Sequence, residues 1–355
     1  MTVTVAVDAN GADLGPTEVA AGAALAAARG IRIVLFGPGD ALRAEVGGTP
    51  GLEIVDAPVS IAKAADPARA VRKTPEASIV QAARSVAAGD ADALVSGGST
   101  GAALAAGLFE IKRPRGIHRP ALAAAVPVPG HPVTFLDVGA NADVRPEHLV
   151  QFAYMGAALA SVVLGVAEPR VALLSNGEEP SRGSVTVQEA HGRLAAAPGL
   201  RFIGNIEGTQ ITAGAADVVV ADGFTGNVAL KVMEATSKLV LDTVRHAAEA
   251  SVRARAGGLL LRPSLRAFRD EIDPERSGGA YLLGLRRLGV VPHGRFGRDG
   301  FANAIALAAR GVSGDVVGRT HAALEAAGAL RRGPGTRLGD ADGQPSGASS
   351  SVPAA

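Results

Sequence analysis

Cysteine and tryptophan are absent from the 355 residues, and aromatic residues make up only 3% of them. Without cysteine there are no disulfides, no thiolate metal sites and no cysteine acyl-enzyme, and an intracellular, cytoplasmic address is the natural reading. Lysine is scarce, standing only at Lys63, Lys73, Lys112, Lys231 and Lys238, while arginine is plentiful. With the heavy Ala and Gly usage, that bias points to genome composition more than to mechanism, and it makes Lys231 conspicuous. An excess of either charge is also missing: 35 Lys and Arg face 34 Asp and Glu, a net charge of +1. No global field therefore draws the chain onto nucleic acid or an acidic membrane, and no nucleic-acid partner is expected. The longest apolar and small-residue run, Phe152 to Ala167, spans about 24 Å as a helix, short of a hydrocarbon core of roughly 30 Å. It reads as a buried helix. The opening MTVTVAVDA is a strand pattern without the charged-then-apolar profile of a secretory signal.

What is present is a 47% hydrophobic chain in which Val/Ile/Leu runs alternate with helical patterns. Strands are predicted at Val3–Val7, Ile31–Phe36, Leu52–Val55, Ala93–Val95, Val133–Leu136, Val171–Leu174, Phe202–Ile203 and Val218–Val220. Helices are predicted near 16–29, 76–88, 101–112, 147–165, 184–197, 226–250 and 300–310. The alternation implies a three-layer α/β/α fold around a mostly parallel sheet. Residues 1–330 read as one α/β catalytic unit. Within it, 251–280 form a basic amphipathic helical excursion, where Leu259, Leu260, Leu261, Leu265 and Phe268 interleave with Arg253, Arg255, Arg262, Arg266 and Arg269. From 331 to 355 the chain lacks the apolar content to fold and is expected to be a disordered tail.

Polar clusters recur at the strand ends, where an open α/β sheet exposes its chemistry. They contain Asp8; Gly98, Ser99, Thr100 and Gly101; Asn141; Asn176, Glu178 and, a few residues on, Arg182; Asn205; and Asp222, Thr225, Gly226 and Asn227. Glycine lets bare amide N–H groups face an anion, so the clusters predict one cleft with an oxyanion or phosphate site. In Asp222–Lys231, Thr225 or Asn227 could cap a helix whose first amides and Lys231 face the anion. The alternative is a plain turn followed by a solvated helix face.

Gly97–Gly101 also satisfies the G-x-S-x-G pattern of a serine-hydrolase elbow at Ser99, with Asp222 and His293 following in triad order, though the upstream glycine-rich oxyanion segment is missing. Gly37-Pro38-Gly39-Asp40-Ala41-Leu42 is a weak dinucleotide lookalike: Leu42 replaces the third glycine, and the expected role is a turn with Asp40 capping the next helix. No lysine sits in a P-loop setting. The seven histidines, His118, His131, His148, His191, His246, His293 and His321, lack metal-ligand spacing, so no metal is expected. His293, in Val290-Val291-Pro292-His293-Gly294-Arg295, is singled out because it follows a strand among glycines.

Taken together, the segments resemble the bacterial acyl-carrier-protein:phosphate acyltransferase family of phospholipid synthesis. The resemblance runs from Val5 to about Gly311 through VDANGAD (7–13), DALVSGGSTGA (92–102), LDVGAN (136–141), RPEHLVQFAYMG (145–156), FIGNIEG (202–208), VVVADGFTGNVALK (218–231), GGAYLLG and VVPHG. Departures are Ser99 where the family usually has Asn, Asn10 for Met, Ala12 for Gly, and Arg182 and Arg145 for Lys. The resemblance implies transfer of a fatty acyl group from acyl carrier protein to inorganic phosphate, releasing the carrier thiol. It implies a product consumed by a membrane glycerol-3-phosphate acyltransferase, and a fold similar to the phosphotransacetylases and isocitrate/isopropylmalate dehydrogenases. It further implies a homodimer without metal or nucleotide cofactor, peripherally associated with the inner membrane face through 251–272, or packed there as a dimer.

Phosphate is substantially dianionic near neutral pH and a thiol leaves with a pKa of about 8.5, so neither a strong base nor a strong acid is required. The reading is direct attack by phosphate on the thioester. Lys231 and Arg182 are expected to hold phosphate; Ser99, Thr100, Asn141 and Asn227 to position it or stabilise the oxyanion; Asp222 to orient Lys231 or the loop; and His293 to act as a weak acid. Rival readings are a short-chain acyl-coenzyme A:phosphate acyltransferase, a serine hydrolase at Ser99, and a silent scaffold for lipid-synthesis enzymes.

Overall fold

The computed structural model describes residues 2–128 and 130–331. The expected tail therefore lies, beyond Arg331, outside the described residues. Eleven strands form one sheet: β1 (Thr4–Asp8), β2 (Arg32–Gly37), β3 (Leu52–Asp56), β4 (Ala93–Ser96), β5 (Ala121–Val126), β6 (Val133–Leu136), β7 (Arg170–Leu174), β8 (Arg201–Ile206), β9 (Val218–Val220), β10 (Ala280–Leu283) and β11 (Leu288–Val291). Their order is β3-β2-β1-β4-β11-β10-β5-β6-β9-β7-β8.

Two parallel halves, β3-β2-β1-β4-β11 and β6-β9-β7-β8, run in opposite directions. The antiparallel β10 and β5 join them. The mostly parallel sheet predicted from sequence is present, and this antiparallel seam is the part that prediction missed. β5 reads ALAAAV, an alanine run that local propensity assigns to a helix, yet it lies between two neighbours that supply its ladder bonds, with Ala121, Leu122, Ala123 and Val126 buried.

Side-chain alternation explains why both faces are covered. Val5, Val7, Ile33, Leu35, Val95, Leu173 and Val220 point into one buried cluster, shared with residues of the helices Pro16–Ala27, Pro146–Val163 and Arg298–Ser313. Ala6, Leu94, Phe135, Ala172 and Val219 point into the other, shared with helices Ser78–Ala88 and Thr100–Ala106. Pro146–Val163 contains most of the apolar run noted above, and Phe152, Ala153, Met155 and Ala160 in it are fully buried. Among the described residues no helix is long and apolar enough to cross a membrane.

The helices Gly223–Glu249 and Val252–Glu271 behave differently. Their only buried residues are Gly223 and Gly226, and they pack against one another as a pair. Helices Pro67–Lys73 and Val316–Ala326 were not anticipated, whereas the helix expected to follow the Gly37–Leu42 turn is present as Gly39–Val46. At Gly39–Val46, Asp40 is not the cap: the carboxylate of Asp56, the last residue of the neighbouring β3, accepts the Gly39 N–H at 2.8 Å.

Candidate active site

The site is built outward from Asp137, a fully buried carboxylate just past β6. It accepts N–H groups from Leu122 (3.0 Å), Gly139 (3.2 Å), Ala140 (2.9 Å) and Asn141 (2.8 Å), and the Asn141 side-chain amide at 2.7 Å. Burial raises its pKa against the opposing pull of these donors. The turn that sequence reading offered as an anion cradle is thus already filled by the protein's own carboxylate. Asn141 is corrected for the same reason: its amide hydrogens go to Asp137 and to the Pro120 carbonyl at 2.7 Å, leaving none for a substrate oxyanion.

Onto this turn docks the N-terminus of Gly223–Glu249. The Gly223 N–H donates to the Asn141 carbonyl at 2.7 Å. A Cβ on Gly223 would lie 2.6 Å from that same oxygen, and one on Gly226 only 2.0 Å from the Asp137 carbonyl oxygen. The sequence D-G-F-T-G-N therefore places glycine where the helix backbone touches the turn. Asp222, not Thr225 or Asn227, is the cap, accepting the Thr225 N–H at 2.8 Å and its hydroxyl at 2.7 Å. Both carboxylate oxygens are committed to the helix start, so Asp222 fixes the loop and does not orient Lys231.

A short way along this helix Asn227 and Lys231 face a cavity of about 940 Å³, which Thr100, Gly139, His293 and Arg295 also line. Elements from both halves of the sheet meet here: Thr100 follows β4, Gly139 follows β6, and His293 follows β11. Lys231 pairs with Glu234 at 2.8 Å. Burial, followed by the charges of Arg295 and Lys231, lowers the His293 pKa. His293 Nδ1 accepts the Arg295 N–H at 3.4 Å, which puts the ring hydrogen on Nε2. It is thus a neutral N–H donor near pH 7 and not the proton-giving imidazolium that a weak acid requires. Arg295 was missed from sequence, although it stands two residues beyond the histidine that the V-V-P-H-G motif had flagged.

One wall of the cavity is apolar, while Lys238, Arg269 and Asp273 line it elsewhere. Leu122, Ala124 and Val126 of β5, with Leu230, Met233, Leu241, Phe268 and Ile272 from the helix pair, form that wall.

Not every expected residue comes to this cavity. Asp8 lies buried beneath the Gly98 loop, accepting the Ser78 hydroxyl at 2.6 Å and the Ser96 hydroxyl at 2.7 Å, while Ser96 Oγ in turn accepts the Gly98 N–H at 3.3 Å. Burial pushes its pKa up to about 6, against the lowering effect of those hydrogen bonds. A buried carboxylate that already accepts these hydrogen bonds does not bind phosphate; through Ser96 it supports Gly98, and neither Gly98 nor Gly101 lines the cavity. Ser99 caps the Thr100–Ala106 helix by accepting the Ala102 N–H at 3.2 Å. With Ser99 and Asp222 both capping helices, no Ser-His-Asp relay forms.

Asn176, Glu178, Arg182 and Asn205 make a separate network at the ends of β7 and the edge strand β8. Asn176 accepts the Gly183 N–H at 2.9 Å, Asn205 donates to the Glu179 carbonyl at 2.9 Å, Glu178 accepts from Gln210 at 2.8 Å, and Arg182 pairs with Glu179 at 3.3 Å. None of the four lines the cavity, so Arg182 is corrected from a phosphate ligand to a partner of Glu179. Among the described residues no group of three or more His, Asp or Glu side chains is arranged to hold a metal.

A polar corner that holds Lys231, Arg295, Asn227 and His293 thus opens onto an apolar wall in an α/β sheet with this seam. The fold is that of the solved phosphotransacetylases. The EutD phosphotransacetylase from Staphylococcus aureus matches with a TM-score of 0.56 and 19% identity, over 88% of this chain and 94% of that one. A phosphotransacetylase from Streptococcus pyogenes matches with a TM-score of 0.58 and 18% identity over the same shares. Residues 3–319 match the family described as "Fatty acid synthesis protein". Curated relatives include the phosphate acyltransferase of Geobacillus thermodenitrificans, 41% identical over 326 residues, which are 91% of this chain and 99% of the relative. That of Lacticaseibacillus casei is 44% identical over 294 residues, 82% of this chain and 86% of the relative. The chain belongs to this fatty acid synthesis protein family, whose relatives carry the name of an enzyme, phosphate acyltransferase.

Proposed function

We propose that the protein transfers a fatty acyl group from the thioester of an acyl carrier protein to inorganic phosphate. The observation that carries this reading is the single cavity in which Thr100, Asn227, Lys231, His293 and Arg295 face an apolar wall. Lys231 and Arg295 supply positive charge for phosphate, while the Asn227 amide and the neutral His293 N–H supply donors for the thioester oxyanion. A phosphate oxygen attacks the carbonyl carbon, and the tetrahedral intermediate collapses with cleavage of the C–S bond. The products are acyl phosphate and the carrier thiolate, which takes up the proton lost by phosphate. No side chain becomes acylated; holding the reactants together does the work. The long apolar wall favours fatty acyl over acetyl donors, which separates this reading from short-chain transfer.

Incubation with palmitoyl carrier protein and phosphate, with hydroxylamine trapping, tests the reaction. Hydroxamate formation that requires both reactants is expected, and thiol release without phosphate would sink it. Acylated protein isolated in the absence of phosphate would overturn the direct route.

The exposed helix pair supports two further parts of the reading. Leu259, Leu260 and Leu261 stand exposed beside the arginines of Val252–Glu271, a pattern suited to an anionic lipid surface. Leu239, Val240 and Val244 on Gly223–Glu249 are also exposed, as a homodimer contact needs. A cytoplasmic protein resting on the membrane would hand its acyl phosphate directly to a membrane glycerol-3-phosphate acyltransferase.

A further inference from the structure

Although the net charge of the chain is only +1, six exposed arginines gather along one edge of the fold. Arg113, Arg115 and Arg119 lie on the segment between the Thr100–Ala106 helix with its π-helical extension and β5, and Arg145 precedes the Pro146–Val163 helix. Backbone bonds bring the other two alongside: the Arg286 N–H donates to the Lys112 carbonyl at 2.9 Å, and the Arg331 N–H to the Gly116 carbonyl at 2.8 Å. His118 and His148, whose rings are 5.5 Å apart, sit among them. Burial first, and then charges that include Arg113, Arg119, Arg145 and Arg331, lower both histidine pKa values, so the two rings add no positive charge near pH 7.

Among the described residues none of the six arginines forms an ion pair. The carboxylate that reaches the histidines, Glu147, is itself paired with Arg193 at 3.3 Å. Unneutralised guanidinium groups concentrated this way create a local field that the whole-chain charge conceals.

Hydrogen bonds through the buried Asn141 tie the edge to the helix that lines the cavity. Pro120, next to Arg119, accepts the Asn141 amide at 2.7 Å, and Asn141 accepts the N–H of Gly223, which opens the helix bearing Asn227 and Lys231, also at 2.7 Å. Among the described residues no exposed large apolar side chain stands on 112–119 or beside Arg145, Arg286 and Arg331 in sequence, so these segments carry no anchors of the kind a lipid surface uses. Nor does this part of the sequence, KRPRGIHR, carry Phe, Tyr or Trp on which bases could stack. What remains is a charge-steered contact, the kind used by brief protein encounters.

We propose that this arginine edge docks an acidic carrier protein and so presents its thioester to the cavity. The proposal rests on the function given above and adds the surface that recognises the donor.

The test is the anisotropy of a fluorescently labelled acyl carrier protein titrated with the Arg115→Glu/Arg286→Glu variant, with Arg115→Lys/Arg286→Lys as the charge-preserving control. Glu substitution is expected to raise the Kd about tenfold or more and to flatten its salt dependence, while the Lys variant stays near wild type. In turnover the same change should appear in KM for the carrier, with kcat moving less than twofold. An unchanged Kd with the Glu variant overturns the proposal. So does a Glu variant that loses binding to anionic vesicles or to single-stranded DNA but keeps its carrier affinity. Should the Glu variant melt early, Arg115→Gln/Arg286→Gln is read in its place. Because Kd is measured without turnover, a wild-type enzyme that binds the carrier but forms no acyl phosphate would count against the proposed function and not against this edge.

Discussion

The Lys231 ammonium lies 2.8 Å from the Glu234 carboxylate, one turn further along the same helix and on the same cavity wall. The side chains are partly open to solvent, at 50% and 23% exposure, so the pair is worth at most about 1 kcal/mol. Its importance is positional: Glu234 holds the lysine beside the cavity and, under the function proposed above, would compete with phosphate for it.

Removing the charge and removing the competitor should therefore act in opposite senses. Lys231→Met is expected to lower kcat/KM for phosphate by about a hundredfold or more, the usual loss of one preorganised charge-stabilising group. Glu234→Gln should lower KM for phosphate severalfold, since the competing carboxylate is gone. Steady-state kinetics with phosphate as the varied substrate reads both, and an unchanged Lys231→Met enzyme would remove this residue from the site.

Gly226→Ala tests the docking of helix on turn. Alanine normally favours a helix by about 1 kcal/mol over glycine, but here its Cβ would stand 2.0 Å from the Asp137 carbonyl oxygen. Steric conflict with backbone outweighs propensity, and a loss of about 3 kcal/mol in unfolding free energy is expected, together with most of the activity. Urea denaturation monitored by circular dichroism measures the first. A variant as stable as wild type would show that the helix does not sit on the turn.

For Asp8 the expected pH dependence has an unusual sign. Its folded pKa, pushed up to about 6 from 3.8, means that the folded protein binds more protons than the unfolded chain between those values. The contribution of this group is therefore most favourable below about pH 4 and is lost as pH rises to about 6, an effect on the order of 3 kcal/mol. Other carboxylates titrate in the same range, so the comparison is with Asp8→Asn. The difference in urea midpoint between wild type and variant should shift in favour of the variant from pH 4 to pH 7; a difference independent of pH would refute the assignment.

Sequence pattern revealed the parallel halves because Val, Ile and Leu runs buried on both faces announce themselves, as at β1, β2 and β9. It concealed β5, whose alanines are strand-forming only because β10 and β6 flank them. Thr100, Asn227, Lys231 and His293 were legible as polar residues at or just beyond strand ends, and they share one cavity. Asn141 and Arg182 had the same local signature, yet one is spent on Asp137 and the other on Glu179. Which polar group is left over for a ligand depends on pairings made across the fold, and those are absent from any local window. The glycines of D-G-F-T-G-N likewise looked like anion-site glycines, but they answer to steric contact with a turn more than eighty residues earlier.

Leu260→Glu/Leu261→Glu places two carboxylates on the most exposed part of Val252–Glu271, where Leu260 is 83% exposed. Neither residue supports the core, so stability should hardly change. Flotation with anionic liposomes should fall by more than tenfold, since two apolar anchors are lost and two repelling charges gained. Undiminished flotation would take this helix out of the membrane contact.

Ser99→Ala distinguishes a cap from a nucleophile. The side chain accepts the Ala102 N–H at 3.2 Å at the start of Thr100–Ala106, so its loss should cost about 1 kcal/mol of stability. Thr100 and its backbone keep their place in the cavity, and acyl transfer to phosphate should persist within about tenfold of wild type. Loss of a true nucleophile costs on the order of a millionfold, so the two roles predict outcomes too far apart to confuse. Labelling by a fluorophosphonate gives an independent reading: the wild-type protein is expected to stay unlabelled because Asp222 is held by Thr225 and cannot orient His293. Stoichiometric labelling at Ser99, or abolished transfer in Ser99→Ala, would replace direct phosphate attack with a covalent route.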